Sequence, residues 1–183
     1  MTQTPAISER QNAAQHTQTL FAWAAKACAT PLPATIRRRA ATILADDMGA
    51  MVAGSLEPQV AQACATFVRN SSSAQEAIVL APGAVCVDRY AAACANGMAI
   101  TWCELDEGFR NAACHGGAYT LPALLAEAQA CNASVEQVLR AVAVAYEVTT
   151  RFALAYPFPS FYVHPHAAFA TIGAAVAVSL VRG

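Results

Sequence analysis

The sequence is short of charge. Only 13% of its residues are Asp, Glu, Lys or Arg, and lysine occurs once, as Lys26. The formal net charge of -1 offers no electrostatic footprint for nucleic acid. The one basic run, Arg37-Arg38-Arg39, reads as the solvated face of a helix rather than a phosphate-binding patch. The seven cysteines (Cys28, Cys64, Cys86, Cys94, Cys103, Cys114 and Cys131) contain no CxxC pair and no zinc-ligand spacing. Most stand among Ala and Val, where a free thiol behaves as a small apolar residue. That usage points to a reducing, cytoplasmic setting rather than a disulfide framework. No Gly-rich phosphate loop, nucleophile elbow or Walker motif is present. The N-terminus lacks the charged-then-apolar layout of a signal peptide. The longest uncharged apolar run, Ala167 to Val181, is shorter than the ~20 residues of a spanning helix. It reads as a buried helix, so neither a membrane nor a nucleic acid is expected as a partner.

What the chain has in abundance is small apolar residues. Its length of 183 residues suits one domain, and 56% of it is hydrophobic. Little polar surface is left, which suits burial on several sides, by another domain or a partner subunit. Residues 1–12 read as a loose arm. Helices are expected from Ala13 to Ala29, stopped by Thr30-Pro31-Leu32-Pro33, and from Ala34 to about Gly54. A third is expected over Gln59 to Val68, followed by a loop at Asn70-Ser71-Ser72-Ser73. Ala77 to Leu80 has the composition of a strand but no evident sheet to join. Further helices are expected over Val87 to Trp102, Tyr119 to Ala130, Ser134 to about Tyr156, and from Ala167 onward. Ser134 with Gln137 three residues later is a capping-box start. The pattern predicts an all-α, Ala-rich helical bundle over 13–183.

The polar residues collect in two loops. Glu104-Leu105-Asp106-Glu107-Gly108, followed by His115, supplies carboxylates and an imidazole for acid/base work near neutral pH. The bland alternative is a solvated acidic turn with Asp106 or Glu107 bonding loop amides. Cys114 is placed by its Ala neighbours in loop packing rather than as a nucleophile. The second loop holds His164-Pro165-His166 below Phe158, Phe161 and Tyr162. A His-x-His pair with no third ligand is a weak metal signal, and a His capping the next helix explains it alone. A third group is Tyr146-Glu147 with Arg151. Here Glu147 and Arg151 are spaced for a helix-surface ion pair, and Tyr146 reads as a core aromatic with its hydroxyl satisfied.

Taken in order, these stretches resemble the MmgE/PrpD family, whose members include 2-methylcitrate dehydratase, cis-aconitate decarboxylase and iminodisuccinate epimerase. The likeness begins at Leu32-Pro33 and Ile43-Leu44-Ala45-Asp46-Asp47-Met48-Gly49. It continues through Ala95-Asn96-Gly97, the acidic stretch and His115-Gly116-Gly117. Ala145-Tyr146-Glu147-Val148 with Arg151, His164-Pro165 and Gly173-Ala174-Ala175 complete it. Three positions depart from the family pattern: Gly116 stands for a Pro, Gly108 for a Thr, and Thr101 for a His.

The resemblance implies a lyase, a dehydratase or decarboxylase of small polycarboxylates, working without metal or organic cofactor. An epimerase of an imino- or hydroxy-dicarboxylate is the alternative. By position it implies catalytic roles for His115, His164 and Asp106, and substrate contacts for Glu104, Arg110, His166 and Tyr146. It also implies a homodimer and a longer protein. A second, α+β domain would close over the site and bring a lysine that this chain lacks near its motifs. The 183 residues are therefore expected to be the N-terminal portion of the helical domain, or else an inactive helical remnant or interaction module.

Overall fold

The structure, a computed structural model, describes residues 7–158 and 164–183. Seven helices and one small hairpin make up the described residues, and the fold is all-α. Helix α1 (Ile7–Cys28) begins before Ala13, so part of the stretch read as an arm is helical. After the Pro31 and Pro33 breaks come α2 (Ala34–Ser55) and α3 (Pro58–Asn70), the latter with Pro at its first turn, where a missing N–H costs nothing. Arg37, Arg38 and Arg39 are all exposed along α2, and Arg37 pairs with Glu136.

The apolar run at Ala77 does find a partner. Strand β1 (Ala77–Ile78) pairs antiparallel with β2 (Cys86–Val87), joining Ala77 to Val87 and Ile78 to Cys86. Gly83 turns the chain at φ +92°, a conformation that glycine adopts freely. Strands this short do not hold themselves, and helix side chains supply the rest. Asn96, almost fully buried, accepts from the Leu80 amide (2.8 Å) and donates to the Ile78 carbonyl (3.0 Å). Gln129 accepts from the Ile78 amide.

Helix α4 (Arg89–Trp102) starts after Asp88, whose carboxylate caps it by accepting from the amides of Tyr90 and Ala91. Helix α5 (Gly116–Ala130) begins at the glycine pair rather than at Tyr119. Helix α6 (Val135–Ala155) carries the complete Ser134–Gln137 capping box. Helix α7 (Pro165–Arg182) is N-capped by His164.

The core is built on α5, which packs against α4, α6 and α7 and is buried almost all round. Leu121, Leu124, Ile100, Met51 and Val142 are fully buried, and truncating one such Leu to Ala costs about 2–5 kcal/mol. Small residues let backbones approach: a Cβ at Gly54 would overlap the Ala99 carbonyl of α4. By length and composition α7 is apolar enough to cross a membrane. In the bundle it buries one stripe at four-residue spacing, Pro165, Phe169, Gly173, Ala177 and Val181, against α5 and α6. The expected buried helix is thus buried along one face, with Thr171, Ala175 and Ser179 exposed. All seven cysteines are free.

Candidate active site

Residues 103–115 connect α4 to α5, and the path of this loop decides which acids face inward. It leaves α4 through Glu104 in the left-handed region (φ +52°), then closes through a bridge between Phe109 and Cys114, with the Phe109 amide donating to the Cys114 carbonyl (2.8 Å). Glu104, Leu105 and Arg110 face outward and are exposed, while Asp106 and Glu107 turn inward. The Phe109 ring packs edge-on against Tyr146.

The inward carboxylates meet the start of α5. Glu107 Oε1 accepts from the Gly117 amide (2.7 Å) and Oε2 from the Tyr146 hydroxyl (2.6 Å). Its own amide donates to Asp47 Oδ1 (3.0 Å), from the middle of α2. These contacts explain the glycine pair. A Cβ at Gly117 would overlap Asp47 Oδ2, and one at Gly116 would lie 2.8 Å from the Tyr146 ring. Asp47 is fully buried, and desolvation raises its carboxyl to about 7 despite the Glu107 amide, with neighbouring Glu107, Asp106 and Asp46 adding to the rise. Burial also raises Cys114 to about 12, with Glu107 second, so it stays a thiol packed in the loop.

Asp106 approaches His115. Its carboxylate, 1% exposed, puts Oδ2 at 2.9 Å from Nδ1 of the His115 ring, itself 30% exposed. The contact falls short of a well-aligned hydrogen bond, since neither the Asp106 oxygens nor His115 Nδ1 finds a hydrogen-bond partner. His115 is the N-cap residue of α5 but makes no side-chain cap, leaving the ring to the carboxylate side. The His166 ring lies 5.2 Å from it between centroids, and the His164 ring lies 4.3 Å from His166. His166 Nδ1 is 3.0 Å from the hydroxyl of Tyr119 on α5. Burial, then the two neighbouring imidazoles, lowers the pKa of His166, while burial raises that of Tyr119. His164 Nδ1 accepts from the His166 amide (3.3 Å), the capping role that its position suggested.

The fold therefore brings Asp106, His115 and His166 together, with His164 at the edge. It does not join Glu104 or Arg110 to them: Arg110 forms no ion pair among the described residues. Tyr146, whose pKa burial and Glu107 both raise, has its hydroxyl committed to Glu107. Glu147 pairs with Arg151 (2.6 Å) on the surface. Sequence reasoning gave no role to Asp47, Tyr119 or Arg39, the last near enough to act electrostatically on Tyr146. The Asp46-Asp47 pair in an apolar helix was the available signal for the first. Phe161 and Tyr162 lie outside the described residues. Among the described residues no three His, Cys, Asp or Glu side chains converge as metal ligands. Two apolar grooves of about 820 and 790 Å³ run along α1, lined by residues such as Trp23, Phe152 and Tyr156 in one and Cys28, Arg140 and Leu180 in the other, away from the histidines.

Compared with family models, residues 18–183 match the MmgE/PrpD N-terminal domain. No curated protein and no solved structure gives a match.

Proposed function

Because the chain belongs to the MmgE/PrpD family, as its N-terminal domain, we propose that it forms part of a cofactor-independent lyase acting on small polycarboxylates such as 2-methylcitrate or cis-aconitate. The observation that carries this reading is the Asp106–His115 contact at 2.9 Å, beside a second imidazole and at the start of a buried helix. Asp106 holds Nδ1 of His115 on the protein side and leaves Nε2 to face a substrate. It also complements the charge that the ring acquires on taking a proton. In a dehydration His115 takes the proton alpha to a carboxylate. The C–H electron pair becomes the new C=C bond, and the hydroxyl on the adjacent carbon leaves with a proton as water. In this reading His164, exposed at the α7 N-cap, gives that proton. Glu104 and Arg110 serve at the substrate's periphery. A further α+β domain supplies the fixed positive charge that a polycarboxylate requires.

An epimerase uses the same first step and returns the proton to the opposite face, so product analysis separates the two. The complete enzyme, incubated with 2-methylcitrate, cis-aconitate or a hydroxy-dicarboxylate in the presence of a chelator, is expected to form an unsaturated or decarboxylated product. His115→Ala is expected to lower kcat about 10²–10⁴-fold, the usual contribution of a general acid or base. His164→Ala is expected to remove most of the activity as well. Full turnover in both variants would overturn the site, and release of only the inverted substrate would favour the epimerase. Exposed Phe21, Trp23, Leu154 and Tyr156 support assembly as a homodimer, which sedimentation checks, and the free cysteines fit a reducing, cytoplasmic setting.

A further inference from the structure

His166 stands where two helix starts meet. Its ring is half-buried in the first turn of α7 and faces three aromatic neighbours. His115 approaches from the start of α5 and His164 from its own helix cap, while Tyr119 lies edge-on at 5.1 Å, one turn along α5. Asp106 and Glu104 act on it electrostatically from the acidic loop. Of its two nitrogens, Nδ1 is the one beside the Tyr119 hydroxyl, 3.0 Å away.

A tyrosine hydroxyl has one hydrogen to give. Tyr119 is 3% exposed; the His115 backbone amide acts on its hydroxyl oxygen as a donor, and among the described residues the one acceptor its hydrogen meets is His166 Nδ1. Were the imidazole proton on Nδ1, the hydroxyl would accept it and its own hydrogen would be buried without an acceptor. An unmade buried donor carries the full desolvation cost of the group. The reverse arrangement leaves no donor unmet. Tyr119 donates to a bare Nδ1, and the proton of His166 sits on Nε2. Burial agrees with this on both sides, since it keeps the tyrosine protonated and disfavours the imidazolium.

We propose that Tyr119 is a positioning residue that fixes His166 as a neutral imidazole protonated at Nε2, a hydrogen-bond donor for a substrate carboxylate oxygen, while His115 exchanges the proton. The donor role rests on the polycarboxylate reading above; the tautomer does not. The two rings, 5.2 Å apart, differ in what stands behind Nδ1. A carboxylate behind His115 suits a ring that must take up charge, and a hydroxyl behind His166 suits one that stays neutral. Pairs of titratable groups in opposed environments are how one site divides acid, base and electrophilic roles. A neutral imidazole donor polarises a carboxylate without removing the proton needed elsewhere.

The test is the nitrogen spectrum of the histidine rings in the 183-residue chain, followed over about pH 6 to 8, where an ordinary histidine titrates. His166 is expected to show an unprotonated Nδ1 and a protonated Nε2 throughout. Tyr119→Phe, which removes one oxygen and keeps the ring, is expected to yield a mixture of both tautomers. A wild-type His166 protonated on Nδ1, or charged at neutral pH, overturns the proposal even should the variant fail to fold. So does a Tyr119→Phe variant with the wild-type tautomer. In the complete enzyme Tyr119→Phe is expected to lower kcat/KM, and unchanged kcat/KM with scrambled tautomers overturns the donor role. Absence of polycarboxylate turnover in the wild-type enzyme would instead sink the functional reading and leave the tautomer standing.

Discussion

Helix α5 has buried carboxylates at both of its ends, and the two groups are treated in opposite ways. Near the C-terminal end, Glu127 is 5% exposed and its Oε1 accepts from Arg89 of α4 and Arg182 of α7, each at 2.8 Å. Arg89 also binds Glu76 at 2.6 Å. Burial pushes Glu127 up, but the hydrogen bonds from Arg182 and Arg89 outweigh it and hold the carboxyl below its usual range. At the N-terminal end Asp47, Asp106 and Glu107 gather with no arginine or lysine in ion-pair contact among the described residues. One oxygen of Asp47 and both of Asp106 have no hydrogen-bond partner there. The helix dipole accounts for part of the contrast. It welcomes anions at the first turn and opposes them in the last, so Glu127 needs its arginines where Glu107 is served by the Gly117 amide. The difference teaches how to sort buried charge. A carboxylate compensated on every side ties helices together, whereas orphaned oxygens beside a histidine lower stability and mark a place for chemistry.

The strongest way to break this contrast is Glu127→Ala. It removes the acceptor shared by two arginines and unlinks α4, α5 and α7. The melting temperature is expected to fall by several degrees, at about 2–4 °C per kcal/mol for a chain of this size. Glu127→Gln should recover part of the loss. An unchanged melting curve would show that this end is no clamp.

The second prediction concerns Asp47. Its carboxyl titrates near 7 in the folded protein against an ordinary value of 3.8. Between those values the folded state holds a proton that the unfolded chain has released. Stability therefore declines as pH rises from about 4 to about 7, and the full cost is present above that window. Asp47→Asn is expected to remove the decline, raising the urea midpoint at alkaline pH and leaving it nearly unchanged at pH 4. A wild-type midpoint that does not fall across the window would place Asp47 with the compensated acids.

The smallest effect is expected from Arg151→Ala. It breaks an exposed pair with Glu147 and a contact of 5.9 Å with the Trp23 ring. Such pairs contribute about 0–1 kcal/mol. A loss as large as that of Glu127→Ala would mean that exposure does not separate the two kinds of charge in this protein.

Much of the fold was legible because its signals are local. Helical spacing, the Pro31 and Pro33 breaks and the Ser134 capping box each act within a turn or two of chain. The hairpin was not legible, because its two short strands depend on Asn96 and Gln129 from helices that follow them. The start of α5 was placed late for a related reason. Gly116 and Gly117 resemble loop residues until Tyr146 and Asp47 are seen to need the space that a Cβ would fill. In the site, Asp106 and His115 share one loop and could be read together. Asp47 stands 60 positions from the Glu107 amide it binds, and on a helix it looked no different from its exposed neighbour Asp46.

By itself, then, the amino-acid order determined the helices, their caps and the loop that carries an acid next to a histidine, since backbone preference and side-chain spacing act over a few residues. Tertiary packing alone decided which carboxylates lose water, which of them receive arginines, and which nitrogen of His166 meets a hydroxyl. Desolvation and hydrogen-bond partnership are properties of surroundings, and here the surroundings come from α2, α4 and α7, elements that reach α5 only through the tertiary fold.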